Sequence, residues 1–281
     1  MNRMYIVFIL INCLSAKLFS QQQTYIYLPE NVKMEILLDS TVTSYFGNNL
    51  YMDIWERLWI KSNHNLACID FSGDSLEVNY ATLRCQSNIN DICPLYNGDM
   101  IVADDSALLT LNDAGCKIIS YLPYPNMQIA PADTNGIYVF GKSASKNKYD
   151  ISLFDLSRKV TRLFSLNDEV KGIAGDGNIT IVVLNNALLL FSRKVEPTVF
   201  YKTDNEIRSI AVTNFGSIFI ATQKGLIYFE KMKRAYTFCN AGAKKLWYIN
   251  DKLYVLFDDG KFAVIYPANK FRVPDLDFIC C

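Results

Sequence analysis

The sequence predicts an all-β protein, a six-bladed β-propeller built of four-stranded antiparallel blades. Two observations carry this. Ile207 to Glu230 holds three short apolar runs, Ile207–Val212, Ile218–Ala221 and Leu226–Phe229, separated by Asn214-Phe215-Gly216 and Thr222-Gln223-Lys224-Gly225. A fourth run, Ala235–Cys239, follows the charged turn Glu230 to Arg234. Runs this short, rich in Ile, Val, Phe and Tyr and bounded by turn residues, are strands rather than helices. The same unit also recurs. Its third strand begins at Leu66, Leu108, Ile151, Leu188, Leu226 and Lys261, at intervals of 42, 43, 37, 38 and 35 residues. A four-strand unit with a period of about 40 residues is a propeller blade, which buries its faces only by stacking on neighbours in a ring.

Taken in order, residues 1–20 read as a secretory signal peptide. Arg3 is the positive start, Met4 to Leu14 the apolar core, and Ala16 and Ser20 are candidate cleavage positions. The apolar run is too short for a membrane span. Residues 21–281 are then the propeller domain, exported to the periplasm or the cell exterior. Thr24 to Ser40 carries two strand-like runs, TYIYL and MEILL, ahead of the first blade. Part of this segment is expected to complete the last blade and close the ring, because an unpaired strand edge is a liability. Blade one spans about Val42 to Leu83, with Leu58-Trp59-Ile60 as its second strand. Blade two turns at Asn97-Gly98, a hairpin signal. Blade three has the longest internal loop, Gly141 to Tyr149. Blade four turns at Asp176-Gly177 and Asn185-Asn186, and blade six at Asn250-Asp251 and Asp258-Asp259-Gly260. The tail VPDLDFICC either adds a strand or hangs free.

Blade five resembles the repeat of two-component regulator propellers. Ile207, Ile210, Asn214, Gly216, Ile218, Phe219, Ile220, Ala221, Thr222, Gly225 and Leu226 fall on that repeat's positions, and Leu58-Trp59-Ile60 matches in blade one. Blades three and four resemble NHL-type repeats. The resemblance implies a sensing or binding propeller of the cell envelope. This chain departs from that family in having no kinase and no DNA-binding segment. Its repeats do not fix a function.

The chemistry of the chain narrows the classes. Basic and acidic residues balance at 28 each. Without residues 1–20, which hold Arg3 and Lys17 and no acid, the balance is 26 to 28, a net charge of −2. That excludes nucleic-acid binding through a strongly basic surface. His64 is the single histidine, so a His-rich zinc site is excluded by count. No Gly-rich phosphate loop and no EF-hand spacing occurs. No cofactor is implied. The eight cysteines show no CxxC spacing, and their pairing stays open.

The turns between second and third strands open on one face of a propeller together with the blade-to-blade connections. They differ in length and charge from blade to blade, and such variation on a rigid scaffold marks binding loops. His64, Asp104, Asp105, Asn185, Lys224, Asp258 and Asp259 are therefore the candidate binding residues, for a protein or glycan partner. Asp104-Asp105 and Asp258-Asp259 also satisfy ordinary turn chemistry. The competing expectation is a propeller enzyme of lyase, hydrolase or lactonase type, with carboxylates or a metal near the central channel. No integral membrane span is expected in the exported chain.

Overall fold

The computed structural model describes residues 32–40, 43, 49–61, 66–70, 77–79, 88–95, 99–112, 115–133, 136–144, 147–155, 160–175, 180–192, 195–213 and 216–266. Residues 1–20, the TYIYL run, His64, Asn97-Gly98, Asp176-Gly177 and the tail after Tyr266 lie outside them.

Six four-stranded antiparallel sheets form a ring. Blade one contains β2 (Leu50–Met52), β3 (Arg57–Lys61), β4 (Leu66–Asp70) and β5 (Glu77–Asn79). Blade two contains β6 (Ile89–Pro94), β7 (Met100–Asp104), β8 (Ala107–Asn112) and β9 (Gly115–Tyr121). Blade three contains β10 (Gln128–Asp133), β11 (Gly136–Lys142), β12 (Tyr149–Asp155) and β13 (Val160–Leu166). Blade four contains β14 (Gly172–Gly175), β15 (Thr180–Val183), β16 (Ala187–Ser192) and β17 (Val195–Lys202). Blade five contains β18 (Ile207–Val212), β19 (Ile218–Thr222), β20 (Gly225–Glu230) and β21 (Arg234–Cys239). Blade six takes β22 (Ala243–Ile249), β23 (Lys252–Phe257) and β24 (Phe262–Tyr266) from the end of the chain and β1 (Lys33–Leu38) from its start. Lys33 pairs with Tyr266 and Leu38 with Phe262.

Strand position explains residue type. The second strands are buried on both faces, as in MIVAD of β7 and IFIAT of β19, so they read as unbroken apolar runs. The outermost strands face solvent, and RAYTFC of β21 is mostly exposed until its last residues. Pro94 and Pro131 lie in innermost strands and Pro197 in an outermost one. At those edges a missing N–H breaks no ladder.

The core is divided among the blade interfaces. One cluster joins blades five and six around Phe219, Phe238 and Phe257, and another joins blades six and one around Leu50, Leu58, Tyr254 and Phe262. The remaining interfaces hold equivalent clusters.

The turn residues of blade five have distinct tasks. The Thr222 hydroxyl accepts from the N–H groups of Lys224 and Gly225 at 3.2 Å each and donates to the Gly225 carbonyl at 2.8 Å. Gly225 has φ 151°, and a Cβ there would stand 2.2 Å from the Cys239 oxygen. In blade six, Asn250 and Asp251 have φ of 50° and 60°, the left-handed pair of a two-residue hairpin between the paired Ile249 and Lys252. The blade-three loop is shorter than its polar composition suggests. Lys142 pairs with Tyr149, leaving only residues 143–148 outside the ladder.

Candidate functional site: the mouth of the central channel

The innermost strands line a central channel with a cavity of about 430 Å³. Each blade sends a polar side chain into its wall near the start of that strand, Tyr51, Asp91, Gln128, Lys171, Arg208 and Lys245, with Ser209 beside Arg208 in blade five. Innermost strands begin at the blade-to-blade connections, so these side chains form a girdle at one mouth. The far ends contribute Pro94, Pro131, Val212 and Ile249, an apolar exit.

Contacts between blades fix the girdle. The Lys245 ammonium donates to the Leu50 carbonyl at 3.2 Å and lies 4.2 Å from the centroid of the Tyr51 ring. The Tyr51 hydroxyl donates to the Asp91 carboxylate. Asp91 also accepts from the N–H groups of Ile129 at 2.9 Å and Ile92 at 3.0 Å. Between the neighbouring blades five and six the Leu246 N–H donates to the Ser209 hydroxyl at 3.1 Å. Blades five, six, one, two and three are thereby joined at one level. Behind the wall, Lys61 donates to the carbonyls of Ile89 and Asn90 at 2.9 and 3.1 Å.

Burial dominates the electrostatics here. It pushes the Asp91 carboxyl up, against the N–H of Ile129, the Tyr51 hydroxyl and the Lys245 charge, which favour the anion. It lowers the Lys245 ammonium to about 8, opposed by Asp91 and reinforced by Lys61. Burial and then Asp91 raise the Tyr51 hydroxyl. Burial lowers Lys61 too, with Asp91 opposing. The site therefore holds an amine that gains or loses its proton near neutral pH.

Of the turns named from the sequence, those of blades two, four and six lie against the blade connections at this same mouth. The Leu122 N–H bonds the Ser106 carbonyl, the Ile207 N–H bonds the Asn185 carbonyl at 2.7 Å, and the Asp258 N–H bonds the Gly242 carbonyl. Each of these joins a strand-two-to-three turn to a blade connection. Asp104 is 4% exposed, and its Oδ1 accepts from the N–H groups of Ser106 and Ala107 at 2.8 and 2.6 Å. Its carboxylate is occupied by its own turn. Asp105 accepts from the Asn88 amide at 3.5 Å. Asp259 holds the N–H and ammonium of Lys261. Asp258 meets Arg208 at 2.6 Å, and so links the rim to the girdle. Lys224 occupies the Thr222-capped turn.

The girdle itself was not marked by sequence reasoning, because its members come from six separate strands and form no local motif. Aligned on the first strand of each blade, they recur at intervals of 40, 37, 43, 37 and 37 residues. A polar residue within two positions of the start of each blade's first strand is the signal that finds them.

Among the described residues, no three His, Cys, Asp or Glu side chains converge to hold a metal ion. No helix among them is long and apolar enough to cross a membrane. Cys68, Cys93 and Cys239 are free and buried.

These features define the class as a six-bladed β-propeller with a polar channel mouth. No protein-family model matches the chain, and no curated protein matches it in sequence. Solved structures share the fold. A gluconolactonase from Xanthomonas campestris superposes with a TM-score of 0.62 at 11% identity, over 85% of this chain and 91% of that one. Virginiamycin B lyase from Staphylococcus aureus gives 0.56 at 14% identity, over 77% and 79% of the two chains. An extracellular domain described as part of a two-component system from B. thetaiotaomicron gives 0.53 at 12% identity, over 76% of this chain but 37% of that one. At such identities the likeness is one of fold.

Proposed function

We propose that this chain is an exported, non-catalytic binding propeller that receives part of a protein or glycan partner at the mouth of its central channel. The observation that carries this is the girdle: polar side chains from all six blades, converging on a cavity of about 430 Å³. Inter-blade hydrogen bonds hold it. Pre-set polar groups on a rigid wall favour binding because little side-chain entropy is lost when the ligand arrives. Asp104, Asp105, Asn185, Lys224, Asp258 and Asp259 frame the approach in this proposal, with Asp104 acting by shaping its turn, and His64, outside the described residues, is proposed as a further contact. The fold likeness to an extracellular domain of a two-component system supports an envelope role.

A second reading is a propeller enzyme, favoured by the amine of Lys245 beside Tyr51 and Asp91 and by the lyase and lactonase among the fold neighbours. One experiment separates the two. The purified protein is incubated with fractionated envelope glycans and peptides, and the bound fraction is analysed by mass spectrometry. Recovery of an intact ligand, with slowed hydrogen exchange in the strands that carry Tyr51, Asp91 and Lys245, supports the binding module. A chemically altered ligand overturns it in favour of the enzyme. Export is tested by the N-terminus of the mature protein, expected near Gln21; intact Met1 overturns it.

A further inference from the structure

We infer that the part of the partner received by the channel is a small anionic group, such as an acidic sugar residue, whose carboxylate or phosphate oxygen is held by Lys245 with Arg208 and Lys171 lining the same mouth. This rests on the channel being the binding site, and it names the chemistry that the channel selects.

The charges on the channel wall are unequal. Lys171, Arg208 and Lys245 are three cations from consecutive blades, facing one carboxylate, Asp91. Asp91 is already engaged by the Tyr51 hydroxyl and two backbone N–H groups. Its oxygens are therefore taken up by fixed donors, whereas the cations are not equally provided for. Lys245 has three N–H donors. The structure shows one carbonyl acceptor for them, Leu50, and one aromatic face, Tyr51. Among the described residues no carboxylate lies within ion-pair distance of Lys245. Burial disfavours the charged form of this half-buried amine, the Asp91 charge offsets that only in part, and Lys61 adds to it, so its proton is held weakly. An incoming oxyanion supplies the missing partner.

The other two cations carry partners that an anion can displace. Lys171 meets Glu169 at 3.0 Å, and that glutamate side chain is 53% exposed. Arg208 meets Asp258 at 2.6 Å and Glu206 at 3.7 Å, with side chains 34% and 49% exposed. Such solvent-facing ion pairs are weak and exchange readily. A ligand anion inside the channel sits in a lower dielectric than these acids and competes from the more favourable position. Asp91 sets the selectivity, because it disfavours a second negative charge across the mouth and accepts from a hydroxyl or ammonium instead. A cavity of about 430 Å³ is of small-molecule size.

The test uses a matched pair of probes, D-galacturonate and D-galactose, which differ by one carboxylate, with inorganic phosphate as a bare oxyanion. Binding to the mature protein is followed by titration calorimetry at pH 7. Galacturonate is expected to bind at least tenfold more tightly than galactose, and phosphate to compete with it. Lys245→Met should reduce galacturonate affinity at least tenfold and leave galactose unaffected, while Lys233→Met, in the exposed β20–β21 hairpin, should change neither. Should Lys245→Met fail to fold, the wild-type protein decides by pH. Galacturonate affinity should fall as pH rises above about 8 through loss of the Lys245 proton, whose charged or titratable neighbours are Asp91, Lys61 and Tyr51. Galactose binding should stay level over the same range. Equal affinity for both sugars, with competition confined to the channel, would overturn the anion inference and leave the binding module standing. Absence of binding by both galacturonate and phosphate would overturn the inference too, and the ligand-recovery experiment would then judge the module on its own.

Discussion

Asp53 offers the sharpest test of how this propeller is held together. It is 1% exposed and closes the turn between β2 and β3. Its Oδ1 accepts from the N–H groups of Trp55 and Arg57 at 3.0 Å each. Its Oδ2 accepts from Arg57 Nε at 2.7 Å and from the Trp59 indole N–H at 2.8 Å. The Arg57 guanidinium in turn lies 4.7 and 5.4 Å from the rings of Trp55 and Trp59. Replacing Asp53 by Ala strands the indole N–H of Trp59, which is 7% exposed. An unsatisfied buried donor costs about 1–3 kcal/mol. The Arg57 side chain is 32% exposed and regains water, so its loss is smaller. Together with the two turn N–H groups, Asp53→Ala should cost about 3–5 kcal/mol, the range for breaking a buried charge pair from one side. Asp53→Asn should cost roughly half as much, since its carbonyl still serves the two backbone donors. Trp59→Phe should cost about 1 kcal/mol alone and almost nothing once Asp53 is Ala, because the bond it removes is then already absent. Urea unfolding at fixed m-value measures all four proteins. A loss below about 1 kcal/mol for Asp53→Ala, or additive effects of the two changes, would refute this account of the turn.

Three further outcomes are expected. Gly225→Ala should destabilise by about 2 kcal/mol or more in the same assay, because it combines a φ of 151° with a 2.2 Å approach to the Cys239 oxygen; a loss within about 0.5 kcal/mol contradicts that packing. Stability should fall on acidification. Burial raises the carboxyls of Glu56 and Asp150, but hydrogen bonds from Lys252, Tyr254 and Asn250 to the first, and from Ser165, Arg162 and Tyr124 to the second, outweigh it and hold both below their ordinary values of 4.5 and 3.8. A depressed carboxylate contributes stability above its unfolded pKa and loses it as pH falls through the folded one, so the loss begins below about 4.5. Glu56→Gln should flatten that part of the melting-temperature profile, and an unchanged slope contradicts the pairing. Cys68, Cys93 and Cys239 should resist thiol reagents in the native state, since burial raises all three and takes Cys68 to about 11; their rapid modification without unfolding would place them at the surface.

The blades were legible because the inner strands of each leave short apolar runs, and the third strand's run repeats along the chain. Leu66 opens β4 as expected, and Ala187 and Gly225 open β16 and β20 one residue before the expected Leu188 and Leu226. Thr222 and Gly225 were legible as a turn because a capping hydroxyl and a crowded position without Cβ leave a local imprint. Asp104 shows where local imprint misleads: an acid in a turn looks solvent-facing, yet it points its carboxylate at its own N–H groups. The girdle is harder still. Tyr51 and Asp91 are 40 residues apart, and Lys245 reaches Leu50 across 195. They share no local motif, and only ring closure brings them together.

That closure has a cost in folding. Every blade but the sixth is made of neighbouring segments, and its hairpins form by short loops. The sixth needs β1 to find β24, joining Lys33 to Tyr266 across 233 residues. Bringing such distant ends together costs about 5 kcal/mol of chain entropy before any contact is made. The N-terminal strand therefore waits for the remainder of the ring, and β24 keeps an unpaired edge meanwhile. In that interval the strand of one molecule is free to complete the ring of another, so concentrated refolding should yield exchanged dimers, whereas dilution should yield closed monomers.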